Sequence, residues 1–235
     1  MTPVLIVCAH GTDDPDGQAV VLEIAAAAAR RLPGVTVEAA YVDVQEPKLG
    51  DVVDRWVGAS ATVVVVPVLL TLGFHTEVDV AEAVSAHPGA VVSTGPLGPD
   101  PRLERALVDR LREAGAPEDA AVVVAVAGSS RPEAADVAHQ VVAGVQSLWP
   151  GRVSVGFLSA AEPRVAEAVA SARGMGPVAV ASYLIGPGFF QRRVDKAGAD
   201  VAAAPLGAHP LLVEVVVDRY RAAAAGLVAD QSHPG

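Results

Sequence analysis

Cysteine is nearly missing from this chain. Cys8 is the only one in 235 residues, which excludes an internal disulfide framework and any multi-cysteine zinc site or iron–sulfur cluster built within one chain. Aromatic residues make up 4%. Basic residues are also short: 17 Lys and Arg against 27 Asp and Glu leave a formal charge of −10, the opposite of the basic footprint of a general nucleic-acid binder. No apolar run approaches the ~20 residues that span a bilayer, because charges, prolines and glycines interrupt each candidate, so no membrane partner is expected. The N-terminus has no basic stretch followed by a long apolar one, so no secretory signal is expected and the cytoplasm is the expected location. Three loop signatures are absent too: the G-x-x-x-x-G-K-[ST] phosphate loop, a G-x-G-x-x-G after the first strand, and the G-x-S-x-G nucleophile elbow. An ATP requirement and an organic cofactor are therefore not expected.

What fills the chain is alanine and valine, within a hydrophobic fraction of 51%. Valine suits strands buried on both faces and alanine suits helices. Strand-like runs are expected at Val4–Ala9, Val35–Val42, Thr62–Leu70 and Ala90–Thr94, separated by helices at Gln18–Leu32, Pro47–Val57, Glu77–Ala86 and Pro101–Ala114. Pro47 is expected in the first turn of its helix. The alternation then starts again. Strands are expected at Ala121–Ala127, Val153–Leu158 and Val178–Ile185, and helices at Pro132–Leu148, Pro163–Arg173, Gln191–Asp200 and His209–Ala225, before a polar tail. Such order implies parallel sheets covered by helices on both faces.

The restart is an internal repeat. Tyr41 to Lys48 matches Phe157 to Arg164, sharing Glu46-Pro47 with Glu162-Pro163, and Val63 to Phe74 matches Val178 to Phe189. Val108-Asp109-Arg110 returns as Val217-Asp218-Arg219. Two copies of this length read as two α/β domains, 1–116 and 117–225, with a tail at 226–235. The duplication can stand in for a homodimer, so a monomer is expected.

The copies differ at positions that carry chemistry. Aligned letter by letter, His10 in Ala9-His10-Gly11-Thr12 falls opposite Gly128, and His75 falls opposite Phe190. Both histidines follow C-terminal ends of expected parallel strands, the edge where open α/β sheets bind ligands. Two neutral imidazoles on one edge suit a borderline divalent ion such as Fe²⁺ or Co²⁺. Each alone is equally an ordinary strand-end hydrogen-bonding residue, and both readings stay open. Asp43 ends the second strand, and its counterpart is Ser159, whereas Glu46 recurs and reads as structural. The second copy carries cations instead: Arg131, then Arg192 and Arg193, with Lys196 a turn further on. Guanidinium groups bind carboxylates bidentately, so the cluster is either an anion site or a solvated helix face. Phe189 and Phe190 are candidates for a flat apolar wall.

The segments His10-Gly11-Thr12, Tyr41 to Pro47, and Val63 to Asp79 with its Gly73-Phe74-His75 resemble the sirohydrochlorin chelatases of the CbiX/SirB type, in their long duplicated form. The resemblance implies two flavodoxin-like α/β domains with a cleft between them. It implies ATP-independent insertion of Co²⁺ or Fe²⁺ into sirohydrochlorin, toward cobalamin or siroheme. The metal is then a substrate, handled by His10 and His75. The family's acidic residue after the second strand is typically Glu, and Asp43 in its place is one methylene shorter. Asp43 would orient a histidine or relay a proton. Phe189 and Phe190 would pack on the macrocycle. Arg131, Arg192 and Arg193 would pair with its carboxylates, and Gln191 would hydrogen-bond beside them. A non-catalytic carrier of metal or tetrapyrrole with the same fold is the alternative.

Overall fold

The computed structural model describes residues 2–71, 74–129 and 132–231; the side chains of 74–77, 132–134, 175 and 228–231 lie outside that description. The first repeat runs β1 (Val4–Ala9), α1 (Pro15–Arg31), β2 (Val37–Tyr41), α2 (Leu49–Gly58), β3 (Val63–Pro67), α3 (Phe74–Ser85), β4 (Val91–Ser93) and α4 (Pro101–Glu113). The second runs β5 (Ala121–Val126), α5 (Pro132–Leu148), β6 (Val153–Phe157), α6 (Val165–Ala172), β7 (Val178–Tyr183), α7 (Phe189–Asp195), β8 (Val201–Ala202) and α8 (Pro210–Gln231). Two fully parallel sheets result, ordered β2-β1-β3-β4 and β6-β5-β7-β8. The valine runs are buried on both faces: Val63 to Val66 are wholly inaccessible, as are Val122 to Val124. That is the burial a parallel sheet covered by helices requires. Asp-Pro pairs start α1 and α4, with Asp14 and Asp100 accepting from the N–H groups of Asp16 and Arg102. Each satisfies one of the donors that a helix N-terminus leaves open. No helix of the described residues is long and apolar enough to cross a membrane.

Several sequence expectations are corrected. Pro47 is not in α2, which begins at Leu49. Its carbonyl accepts the Tyr41 N–H at 3.0 Å and so belongs to the end of β2; the Phe157 N–H and Pro163 carbonyl repeat the contact at 2.9 Å. The helix expected at Gln191–Asp200 stops at Asp195, and Gly198 turns the chain at φ +82°. The two-residue strand β8 then follows, too short to leave a sequence signal. Asp200 secures it, its carboxylate accepting the Val178 N–H at 2.8 Å and its own N–H donating to the Val178 carbonyl at 2.9 Å. The tail expected to fray from Leu227 is helical as far as Gln231.

The repeat register is also corrected by one residue at the first loop. Asp43 donates its N–H to the carbonyl of His10, and Ser159 donates to that of Ala127, both at 2.9 Å. The structural partner of His10 is therefore Ala127, and Gly11 pairs with Gly128. These glycines have φ of +99° and +85°. A Cβ on them would lie 2.3 Å from the Asp43 carbonyl oxygen and 2.0 Å from that of Ser159. Both demands, the backbone angle and the space, exclude a side chain.

By compactness the chain divides into Met1–Leu97 with Val213–Gly235, and Gly98–Leu212. These units depart from the linear halves 1–116 and 117–225. Helix α4, from the first repeat, lies against α5 and β7 in the second unit. Most of α8, from the second repeat, returns to the first unit, where the Tyr220 hydroxyl donates to the Pro3 carbonyl at 2.6 Å and Glu214 pairs with Arg31 at 3.1 Å. Within the second unit, Glu104 of α4 packs on Gly144 of α5, where a Cβ would fall 2.6 Å from the glutamate Cγ. Glu104 is 4% exposed, and burial pushes its carboxyl up to about 7 against the pull of backbone N–H donors.

Two outcomes are expected. Gly11→Ala and Gly128→Ala each lose about 2–4 kcal/mol in urea unfolding, from strain and overlap together. A raised carboxyl favours folding while protonated, so the Glu104 contribution is held at low pH and lost as pH climbs from ~4.3 through about 7. Glu104→Gln removes that loss: its Tm, measured by thermal unfolding, exceeds the parent's by a few degrees at pH 8 and matches it near pH 4.5.

Candidate metal site

In the order β2-β1-β3-β4 the chain leaves β1 to one side and returns on the other, so the C-terminal ends of β1 and β3 flank a topological switch point. The register places Ala9 beside Tyr41 and Cys8 beside Pro67. His10 directly follows β1, Asp43 follows β2, and His75 lies in the first turn of α3, the helix after β3. Three adjacent strand ends thus bring the three sequence candidates to one edge of the first unit. The side chain of His75 lies outside the described residues, as does Arg131.

His10 is exposed, on a loop that is tied down. The Asp43 N–H holds its carbonyl. Next, Thr12 donates its N–H to Gln45 Oε1 at 2.9 Å, and Gln18 Nε2 donates to the Thr12 carbonyl at 2.8 Å. The Thr12 hydroxyl accepts from the Asp14 N–H at 3.1 Å. Gln45 also meets the Tyr41 hydroxyl, opposing the rise in the phenol's pKa that burial causes. Sequence reasoning missed this clamp. Its signal was present in the repeat, because Gln45 and Gln18 stand opposite Ala161 and Ala135. The second unit carries alanine at both positions.

Asp43 and Ser159 answer the same loop differently. The Ser159 hydroxyl donates to the Ala127 carbonyl at 2.7 Å. A carboxylate cannot donate there, and Asp43 instead accepts the Val44 N–H on Oδ1 at 2.7 Å while the group stays exposed. Cys8, two residues before His10, is buried, and burial with the nearby Asp79 charge pushes its thiol up to about 12. A buried, protonated thiol is a poor nucleophile. Among the described residues no three His, Cys, Asp or Glu gather as a metal cluster; of the three sequence candidates, His10 and Asp43 have described side chains at this edge.

The second unit presents a different edge. Phe189 opens α7 and is 65% exposed, its ring centroid 5.6 Å from that of Phe190. Phe190 is half-buried against the core of its unit, so only Phe189 offers an open ring. The Arg193 guanidinium sits 5.8 Å from the Phe189 centroid, and Arg192 is exposed beside it. Gln191 does not join them. It is 8% exposed, and its Nε2 donates to Asp195 Oδ1 at 2.8 Å and to the Ala203 carbonyl at 3.4 Å. It ties α7 to the segment after β8, and the expected surface hydrogen bond is replaced by an interior one.

The comparisons with known proteins agree with this architecture. The CbiX family model matches twice, over residues 4–114 and 121–223. The sirohydrochlorin ferrochelatase of Bacillus subtilis (strain 168) is 27% identical over 210 residues, covering 80% of this chain and 79% of the relative. A sirohydrochlorin cobaltochelatase of Sulfolobus acidocaldarius is 29% identical over 112 residues, 46% of this chain and 86% of its own. The solved structure of SirB from Bacillus subtilis with Fe³⁺ superposes with a TM-score of 0.83 at 22% identity, covering 97% of this chain and 98% of the other. It has the same fold. With both repeats matched, the chain belongs to the CbiX family.

Proposed function

We propose that the chain inserts a divalent metal ion, Co²⁺ or Fe²⁺, into sirohydrochlorin without a nucleotide. The observation that carries this reading is the one-sided switch point. The first unit holds an exposed, clamped His10 with Asp43 beside it, and the second has Ala127 and Ser159 in those places. Relatives named for iron and for cobalt insertion support the same chemistry, and the nitrogen and oxygen donors suit both metals. Both carrying residues lie in one compact unit.

Metallation exchanges pyrrole N–H protons for the ion, so the protein must hold the metal weakly enough to release it and must take up protons. Neutral imidazole does both, since its pKa of about 6.5 lies near working pH. In this reading His10 and His75 present the metal and accept the protons. Asp43, with one oxygen used by Val44, orients a histidine or passes a proton on. The open ring of Phe189 packs on the macrocycle, Phe190 supports it from behind, and Arg192, Arg193 and Arg131 pair with peripheral carboxylates. The protein works as a monomer in the cytoplasm.

Anaerobic metallation followed by absorbance, with Co²⁺ and Fe²⁺ in parallel, tests the assignment. His10→Ala combined with His75→Ala lowers the rate by about a hundredfold or more with either metal; an unchanged rate refutes the role. Arg192→Ala combined with Arg193→Ala raises KM for sirohydrochlorin about tenfold and leaves kcat nearly intact, and an unaltered KM removes the arginines from the binding site.

A further inference from the structure

Val44 is a β-branched residue at φ +54°. That left-handed conformation is a genuine outlier for valine, because its Cβ crowds the backbone. The turn itself belongs to the fold, since Ala160 adopts φ +58° at the same place in the second unit. Alanine meets the demand of the turn at less steric cost. Valine at Val44 adds crowding, and it is not a core residue that packing could hold there, being 45% exposed.

Exposure of large apolar side chains is itself unevenly placed. Five are exposed among the described residues: Leu22, Val44, Val78, Leu148 and Phe189. Leu22 and Leu148 lie within α1 and α5, whereas the other three stand at C-terminal sheet edges. Val44 follows β2, Val78 lies early in α3, and His10 follows β1 between them in the strand order. The second unit has Ala160 and Arg193 at the positions of Val44 and Val78. The two exposed valines and His10 thus stand together in the first unit, and Ala160, Arg193 and Ala127 take their places in the second.

Charge says what these valines face. Asp13, Asp43, Glu46 and Asp79 are all exposed at or near this edge, and Lys48, 3.9 Å from Glu46, offsets one of the four charges. Such a field repels a ligand rimmed with carboxylates and leaves apolar contact with its ring as the attraction available on this side. We infer that Val44, seconded by Val78, is the apolar rest that seats the tetrapyrrole ring beside His10, and that the strained turn aims it there. The inference depends on the chelatase reading above and adds a positioning contact to it.

The test compares Val44→Gly, Val44→Asn and Val44→Ile with the parent chain. Gly and Asn are at ease at positive φ, so both variants hold or raise Tm. They nonetheless raise KM for sirohydrochlorin about fivefold and weaken its binding, read by fluorescence quenching, to the same degree. Binding of Co²⁺ alone, read by calorimetry, stays unchanged in both, and Val44→Ile keeps KM within twofold of the parent. Folded Gly and Asn variants with a parental KM overturn the inference. So does an equal loss of Co²⁺ binding, which would place the effect on the metal donors, or a KM in Val44→Ile as high as in Val44→Asn. A parent chain that neither binds nor metallates sirohydrochlorin overturns the chelatase reading first, and the role of Val44 with it.

Discussion

The ligand edge of each unit depends on one backbone contact, in which the loop after the central strand presses against the loop after its neighbour. Gly11 lies on the Asp43 carbonyl and Gly128 on the Ser159 carbonyl, each in a left-handed conformation with no room for a side chain. The contact fixes the height at which the next residues leave the sheet. The same two carbonyls also accept the N–H groups of Gln45 and Ala161, and the residues between, Val44 and Ala160, turn at positive φ. The backbone of each loop is thereby tied to that of its neighbour.

On that shared frame the two repeats have diverged in chemistry. The first unit keeps imidazole and carboxylate at its edge and reinforces the loop with side-chain amides from Gln18 and Gln45. The second replaces imidazole with alanine, carboxylate with hydroxyl, and gathers Phe189 and two arginines on α7. Backbone geometry is common to both and side-chain function is not. Duplication permits this, since a side chain can change in one copy while the other keeps it.

Much of this was legible in the sequence, and the misses have physical causes. The valine runs marked seven of the eight strands, because burial on both faces demands continuous apolar stretches. The strand β8 escaped because its pairing is carried by Asp200 and two residues of backbone, and not by composition. Pro47 misled because proline is common at a helix start, whereas here its carbonyl serves the sheet. Letter matching paired His10 with Gly128 because it set Ala9 against Ala127, which left Gly11 opposite Ser129; the carbonyl that each loop must meet restores Ala127 as the partner. Gln191 looked like a surface amide because it is polar and precedes two arginines, yet its place on a short helix turns it inward. The clamp by Gln45 left its mark as a difference between copies, with Ala161 opposite it in the matched segments Tyr41 to Lys48 and Phe157 to Arg164.

The membership of α8 in the first unit bears on how the protein is made. That unit contains the earliest residues of the chain, yet it lacks a helix until Val213 and those after it have been added. The intervening unit, Gly98–Leu212, is a single uninterrupted stretch and can close as it emerges from the ribosome. The later-encoded body is therefore finished first, and the one bearing His10 waits for the final segment. Release of an incomplete polypeptide leaves the unit bearing His10 without its last helix.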